Sequence, residues 1–314
     1  MSAADAARVV VAVPTRGRPR MLAALLASLD RLALEDGGPS VEIVVVDNDP
    51  AASAAPVCAR YRGGGGRFPL TRLEEARPGV VHVRNTAAAW AFARADRVAW
   101  VDDDEEVTPG WLSALLAVER RFGADAVAGP VVARFEAPRS PWAGEGLLDS
   151  PRHRTGAQIR TARAGNLLLT RRGAERAGAP LFDPGLALSG GEDHELLARV
   201  LAGGGVVVWA DEALVVETVP RSRQTLGWIL GRFAHYGTVN AGLALTARPG
   251  ALTRGGIAAE AVLVAAAGAA RTLRGLPRGR AAVARGLRQV AYGVGLVRGL
   301  AGARSASYRA TDGG

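Results

Sequence analysis

The sequence predicts an α/β protein: a mostly parallel sheet covered by helices on both faces, followed by a helical C-terminal extension. Three observations carry that prediction. Short apolar runs alternate with helical spacing over residues 9–101, the pattern of βαβ units. Two of those runs end in acids, Val46 before Asp47 and Val101 before Asp102, so both sets of carboxylates face one edge of the sheet. Beyond residue 220 the composition shifts to Ala, Gly, Leu and Arg.

The elements follow in order. Val9-Val10-Val11-Ala12-Val13 reads as a buried parallel strand, and Pro14-Thr15-Arg16-Gly17-Arg18-Pro19 as the turn after it. Leu22, Leu25, Leu26 and Leu29 have helical spacing. Residues 41–46 form a second strand, residues 51–61 a helix, 70–73 a short strand and 79–95 a helix carrying Arg84-Asn85. The Gly63-Gly64-Gly65-Gly66 loop is not a phosphate-binding P-loop, because no Gly-Lys-Ser/Thr follows it and no strand feeds it. Residues 97–101 form the next strand. Thr108-Pro109 predicts a helix start, Thr as N-cap and Pro at the first helical position. A helix over 110–122, one strand over 126–135, an irregular loop to about 160, a strand at 165–169, a helix opening at Gly190-Gly191-Glu192-Asp193 and a strand at 206–209 complete the first part.

Composition narrows the class. The 314 residues are 48% hydrophobic, enough for a sizeable core. Every basic residue is Arg. Residues 1–220 hold 25 Arg and 28 acids, a net −3, whereas residues 221–314 hold 14 Arg and 2 acids, a net +12. Such asymmetry suggests a basic extension that meets an anionic surface. The single cysteine, Cys58, excludes an internal disulfide and a cysteine-built zinc site. No secretory signal is expected, and the longest apolar stretch, 256–270, is cut by Glu260. The expected location is cytoplasmic, peripheral to the membrane.

The chemistry centres on Asp102-Asp103-Asp104-Glu105-Glu106, between a buried strand and a helix. Ligands of open α/β sheets bind beyond the carboxyl ends of the strands. Carboxylates crowded there repel one another unless a cation joins them, and hard divalent ions take oxygen ligands together with substrate phosphates. A solvated acidic loop is the plainer alternative. Asp47 alone also suits a turn or cap, and Glu192-Asp193 alone suits a helix first turn.

Taken together the motifs resemble glycosyltransferase family 2 with the GT-A nucleotide-diphospho-sugar transferase fold. Val13-Pro14-Thr15-Arg16, Val46-Asp47-Asn48-Asp49, Arg84-Asn85, the DXD-type Asp102-Asp103-Asp104 and Gly191-Glu192-Asp193 occur in the family's order, over residues 8–240. The set is similar to enzymes of succinoglycan-type exopolysaccharide assembly. The resemblance implies a UDP-sugar donor, UDP-glucose first, a lipid-linked oligosaccharide acceptor, Mg²⁺ or Mn²⁺ as cofactor and inversion at the anomeric carbon. Pro14, Thr15, Arg16 and Asp47 would hold the nucleoside, Asp47 accepting from uracil. Asp104 and Asp102 would bind metal, with Asp102 and Asp103 also at the donor, and Arg84 would lie near the diphosphate. Asp193 would be the catalytic base, with Glu192 as fallback. Three successive Asp leave the register of the motif open, and Asn48 departs from relatives with a second Asp. A rhamnosyl- or galactosyltransferase of the same fold, and a non-catalytic nucleotide-sugar-binding scaffold, are the alternatives; no nucleic-acid partner is expected.

The implied division is a catalytic unit at 1–220, its nucleotide-binding half at about 8–106 and its acceptor half at about 107–220, with the basic extension at 221–314. In the extension Val283, Leu287, Val290, Val294 and Val297 fall within an arc of about 80° on a helix, with Arg285 and Arg288 pointing away. Basic amphipathic helices bind anionic interfaces; packing on the catalytic unit is the other reading.

Overall fold

The computed structural model describes residues 8–144, 148–187 and 189–303. Seven strands make the main sheet: β1 (Arg8–Thr15), β2 (Ser40–Asp47), β3 (Leu70–Glu74), β4 (Arg97–Val101), β6 (Ala126–Ala128), β8 (Asn166–Thr170) and β9 (Val207–Trp209). Their order is β3-β2-β1-β4-β8-β6-β9. β8 runs antiparallel to both of its neighbours, and the other pairings are parallel. A second sheet has the order β5-β10-β7, built from β5 (Glu105–Val107), β7 (Val131–Phe135) and β10 (Val215–Val219).

Alternation along β1 divides the core into two layers. Val9, Val11 and Val13 pack with α1 (Pro19–Leu29), α2 (Ala55–Gly63) and α4 (Trp111–Phe122). Val10 and Ala12 point the other way, toward α3 (Val80–Phe92) and α6 (Glu192–Ala202). A strand buried on both faces has no polar side to alternate with, which is why these runs are continuously apolar. β1 and β2 align Thr15 opposite Asp47, so their carboxyl ends share one edge with the end of β4. β8 runs the other way and brings its N-terminus, Asn166 opposite Val101, to that same edge.

The structure departs from the sequence reading at three places. The stretch 126–135 is two strands in different sheets, broken at Gly129-Pro130, where proline has no N–H to give a ladder. The helix after the acids begins at Trp111 with Gly110 as N-cap; the Thr108 hydroxyl donates instead to the Leu214 carbonyl. Glu105 and Glu106 belong to β5, whose partner β10 has no counterpart in the sequence reading. The small sheet is tied to the large one by Asn166. Its amide donates to the carbonyls of Pro130 (3.0 Å) and Ala213 (2.7 Å) and accepts from the Trp111 indole (2.8 Å).

The C-terminal part comprises α7 (Leu226–Ala247), α8 (Ala251–Gly275) and α9 (Arg280–Leu300), after the short α5 (Arg171–Ala177) of the sheet region. α9 lies between α7 and α8. Its buried face is mostly small, Ala282, Ala284, Gly286, Gly293, Gly295 and Gly299, with Leu296 in the core. Of the 283–297 stripe, Val283, Leu287 and Val290 are half-buried, and Val294 and Val297 are exposed.

Asn166→Leu removes a fully buried amide and leaves three partners unsatisfied. Each such group costs about 1–3 kcal/mol, so we expect a loss of about 3 kcal/mol or more in urea unfolding. Replacing exposed Arg160 with Ala should fall within about 0.5 kcal/mol of the parent.

Candidate active site

The carboxyl edge collects side chains from distant elements. Asp102, Asp103 and Asp104 form the turn from β4 into β5. They diverge in direction. Asp102 is the most open, its side chain 36% exposed. Asp103 turns inward and is buried, accepting from the Thr15 hydroxyl (2.8 Å) and from Arg18 Nη1 (2.9 Å). Asp104 Oδ2 accepts from Arg18 Nη1 (3.0 Å) and Arg223 Nη1 (3.1 Å). Beneath them Glu105 is buried, its Oε2 accepting from the Asp102 backbone N–H (3.0 Å). Gly165 makes room for this turn: a Cβ there would sit 2.8 Å from oxygens of both Asp102 and Glu105.

Burial and like charge act together on these acids. Burial pushes Asp103 well above the usual carboxylate range, with Arg18 pulling it back and Asp104 adding to the rise. Glu105 is likewise raised well above its ordinary value, by burial first and then by Asp102 and Asp104. Arg18 stays a cation: burial disfavours its charge, and Asp103 and Asp104 more than offset this.

A second bridge joins this turn to α6. Arg84, on α3 and nearly buried, pairs with Asp102 (3.1 Å) and with Glu192. Glu192 is buried, and one of its oxygens has no hydrogen-bond partner among the described residues. Burial raises its pKa, Arg84 opposes, and Asp193 adds to the rise. Asn85, the next residue, fixes the 182 loop through the amide and carbonyl of Phe182. Asp193 is half-buried at the first turn of α6 and accepts from the His194 N–H (2.8 Å). Gly191 precedes it at φ +88°, a left-handed conformation that glycine adopts without strain, and a Cβ there would strike Val239 of α7 at 2.3 Å.

Not every expected residue faces the cleft. Pro14 is buried at the end of β1, and Arg16 is half-buried nearby. Asp47 is buried, its oxygens taken by the N–H groups of Asp49 (3.1 Å) and Ala54 (3.2 Å) and by Arg72 (3.0 Å). Oδ2 takes two of these donors and Oδ1 one, so a further donor would have to reach Oδ1 of a buried side chain. Trp142 packs in a small cluster with Ala143 and Ile229, with the Arg280 guanidinium 5.6 Å from its ring. Residues 145–147 of that loop lie outside the described residues. Arg18, Arg163, Glu217 and Arg223 were not singled out from sequence, whereas Glu105 was part of the acidic run. The turn after β1 offered a signal for Arg18; the others are brought in by β8, β10 and the segment before α7.

The glycosyl transferase family 2 profile matches residues 10–176. The succinoglycan biosynthesis protein ExoM of Rhizobium meliloti (strain 1021) is 32% identical over 224 residues, covering 71% of this chain and 70% of ExoM. The chain belongs to glycosyl transferase family 2 and is a glycosyltransferase with the GT-A fold. Among solved structures, mannosyltransferase PcManGT from Pyrobaculum calidifontis, in complex with GDP-Man and Mn²⁺, superposes with a TM-score of 0.65 at 18% identity, over 95% of this chain and 88% of that one. GalNAc-T7 with UDP, GalNAc and Mn²⁺ gives 0.54 at 15% identity over 76% of this chain; the chain spans 50% of its length.

Removing one partner of a buried pair costs about 3–5 kcal/mol, because the other charge is left uncompensated. Arg84→Met and Glu192→Met should each destabilise by that order. The double variant should cost less than the two together, with a coupling of about 1 kcal/mol or more in a denaturation cycle.

Proposed function

We propose that this glycosyltransferase is metal-dependent and inverting, and moves a hexose from a UDP-sugar, UDP-glucose foremost, onto a lipid-linked saccharide in exopolysaccharide or other cell-surface glycan assembly. The observation that carries the reading is the meeting of Asp102, Asp103 and Asp104 with Arg18, Arg84 and Arg223 at the carboxyl edge of the sheet. The kinship with ExoM supports the pathway, and the GDP-Man and Mn²⁺ of PcManGT support a nucleotide-sugar and a divalent ion.

The residues fit such a donor. Among the described residues no three His, Cys, Asp or Glu side chains gather into a closed metal cage. Asp102 instead stands open at the turn, beside Asp104, whose Oδ2 is shared by Arg18 and Arg223; two such carboxylates suit a hard cation that also takes substrate phosphate oxygens. When bound, Mg²⁺ or Mn²⁺ stabilises the charge growing on the diphosphate leaving group. Asp103 holds Thr15 and Arg18 in place. Arg18, Arg84 and Arg223 supply planar donors for phosphate. Pro14, Thr15, Arg16 and Asp47 surround the nucleoside. Asp193 is the base that takes the acceptor hydroxyl's proton. It is half-buried and carries no ion pair among the described residues, whereas Glu192 is committed to Arg84. Residues 1–220 form the catalytic unit and 221–314 the extension.

The extension meets an anionic membrane surface, which puts the enzyme at the inner face of the membrane. Two features support this. α8, continued to Arg278, is the one helix among the described residues long and apolar enough to cross a membrane, and little of it is buried. Leu252, Val262, Leu263 and Leu273 are exposed along it, with Arg254, Arg271 and Arg274 toward its ends.

Asp104→Asn should lower turnover by roughly 10²–10³-fold and weaken metal-dependent UDP binding. Asp193→Asn should lower transfer by about 10²–10⁴-fold with UDP binding near normal. A donor panel of UDP, GDP and dTDP sugars, with and without Mn²⁺, checks the assignment; near-normal activity of Asp104→Asn removes the metal role.

Because α9 is seated on α7, truncation would strip an internal contact, and point variants serve better. Val262→Asp with Leu263→Asp should reduce sedimentation with anionic vesicles at low salt while UDP binding is kept. Equal sedimentation of variant and parent speaks against the membrane reading.

A further inference from the structure

A third group of cations lies beyond the pairs described above. Arg163, two residues before Gly165, donates Nη1 to Glu217 Oε2 at 2.9 Å. The other Glu217 oxygen is 3.4 Å from Arg223 Nη1. Both oxygens of Glu217 are therefore taken. Arg232, one turn into α7, has no carboxylate within ion-pair distance among the described residues. Its Nε donates to the Tyr236 hydroxyl (2.7 Å), and its guanidinium lies 5.1 Å from the Tyr236 ring and 5.6 Å from the Trp228 ring. Arg163 and Arg232 belong to one neighbourhood: Glu217 joins Arg163 to Arg223, and the guanidinium groups of Arg223 and Arg232 lie 5.9 Å and 5.6 Å from the same Trp228 ring. Both side chains are half-buried, walled in but still open to water.

The position of the pair is informative. Glu217 pairs with Glu105 across β10 and β5, one strand away from the acidic turn. On the other side, His235 lies three residues after Arg232. Burial and Arg232 hold its pKa down to about 4, and Asp193 acts in the opposite sense. Arg163 is thus tied through Glu217 to the strand pair that carries Glu105, and Arg232 lies two turns before Val239, the α7 residue that faces Gly191 at the start of α6. Arg232 spends Nε on Tyr236 and makes no ion pair among the described residues, so its guanidinium, beside that of Arg163 in a walled recess, suits an incoming anion. Guanidinium planes fixed by aromatic rings are suited to phosphate or carboxylate oxygens.

We propose that Arg163 and Arg232 form an anion subsite for the acceptor, which takes a phosphate or carboxylate group carried close to the hydroxyl that is glycosylated. This rests on the donor and base assignments above. One acceptor chemistry has two sources, the phosphate that links a saccharide to its lipid and a carboxylate on an acidic sugar.

The test fills the donor site first. UDP affinity in the presence of Mg²⁺ is measured for the full chain and for Arg163→Gln, Arg232→Gln and Arg232→Lys. The UDP-saturated proteins are then titrated with isopentenyl phosphate and, separately, with glucuronate, followed by ligand-observed NMR. The expected result is saturable binding of one of the two anions to the parent. That binding should weaken by roughly tenfold or more in Arg163→Gln and Arg232→Gln, as befits a lost charge-assisted hydrogen bond, and by less in Arg232→Lys. UDP affinity should stay within about twofold throughout, which also shows that the variants fold. Preference for isopentenyl phosphate names the lipid phosphate as the source, and preference for glucuronate names the acidic sugar. The subsite is overturned if neither anion binds the UDP-saturated parent, or if the Gln variants bind as the parent does. A parallel fall in UDP affinity also overturns it, since the arginines would then serve the donor diphosphate. Failure of the parent to bind UDP at all overturns the donor assignment, and this inference with it.

Discussion

The fold is organised by a problem of charge at the carboxyl edge of its sheet. A buried strand delivers Asp102, Asp103, Asp104 and Glu105 into one turn, and two of the four are buried. Acids in that setting are tolerated only when cations reach them or protons stay bound. The cations come from three separated segments: Arg18 from the turn after β1, Arg84 from α3 and Arg223 from the segment before α7, while Arg163, ahead of β8, pairs with Glu217 one strand away. Every one is an arginine, as is every basic residue of the chain. A guanidinium can serve two acceptors at once, as Arg18 and Arg84 do here, where a compact ammonium would satisfy them less well.

That arrangement couples parts that the chain order keeps apart. Arg223 leaves β10 and returns to Asp104, so the start of α7 is anchored to the acidic turn rather than merely appended after the sheet. α7 in turn closes on α6, where Gly191 leaves no room for a side chain against Val239. α9 then lies along α7 on small residues: Gly237 and Gly295 bring the two backbones into direct contact. The extension is continuous with the site at one end and presents an apolar, arginine-edged surface at the other.

Much of this was legible in the sequence. The parallel strands were, because burial on both faces writes itself as nearly continuous apolar runs in β1, β2 and β4. The acidic turn and Glu192-Asp193 stood out because acids next to apolar runs have few structural uses. β5 and β10 were not legible: three- and five-residue strands with exposed or charged positions carry no period long enough to read. Nor were the counter-ions. Arg18 to Asp103 spans 85 residues and Arg223 to Asp104 spans 119, and pairing at such separation is set by topology, not by local spacing. In α9 the packing falls mainly on glycines and alanines, joined by Leu296, and a scale based on hydrophobicity passes over such small residues; of the 283–297 stripe Val294 and Val297 are exposed.

The two acids of α6 show how one motif divides its labour. Adjacent helical positions point about 100° apart. Glu192 points inward and is spent on Arg84, and through it on Asp102, so the start of α6 is locked to the acidic turn. Asp193 points away from that lock and keeps its carboxylate within reach of solvent. A base that must take a proton from an incoming hydroxyl needs an unshared oxygen, and a base that must not drift needs its backbone fixed. On the assignment of Asp193 as base that we propose, the motif meets the two requirements from neighbouring residues. On the proposed assignment, a substitution at Glu192 would then act on Asp193 through position, while a substitution at Asp193 would act on proton transfer itself.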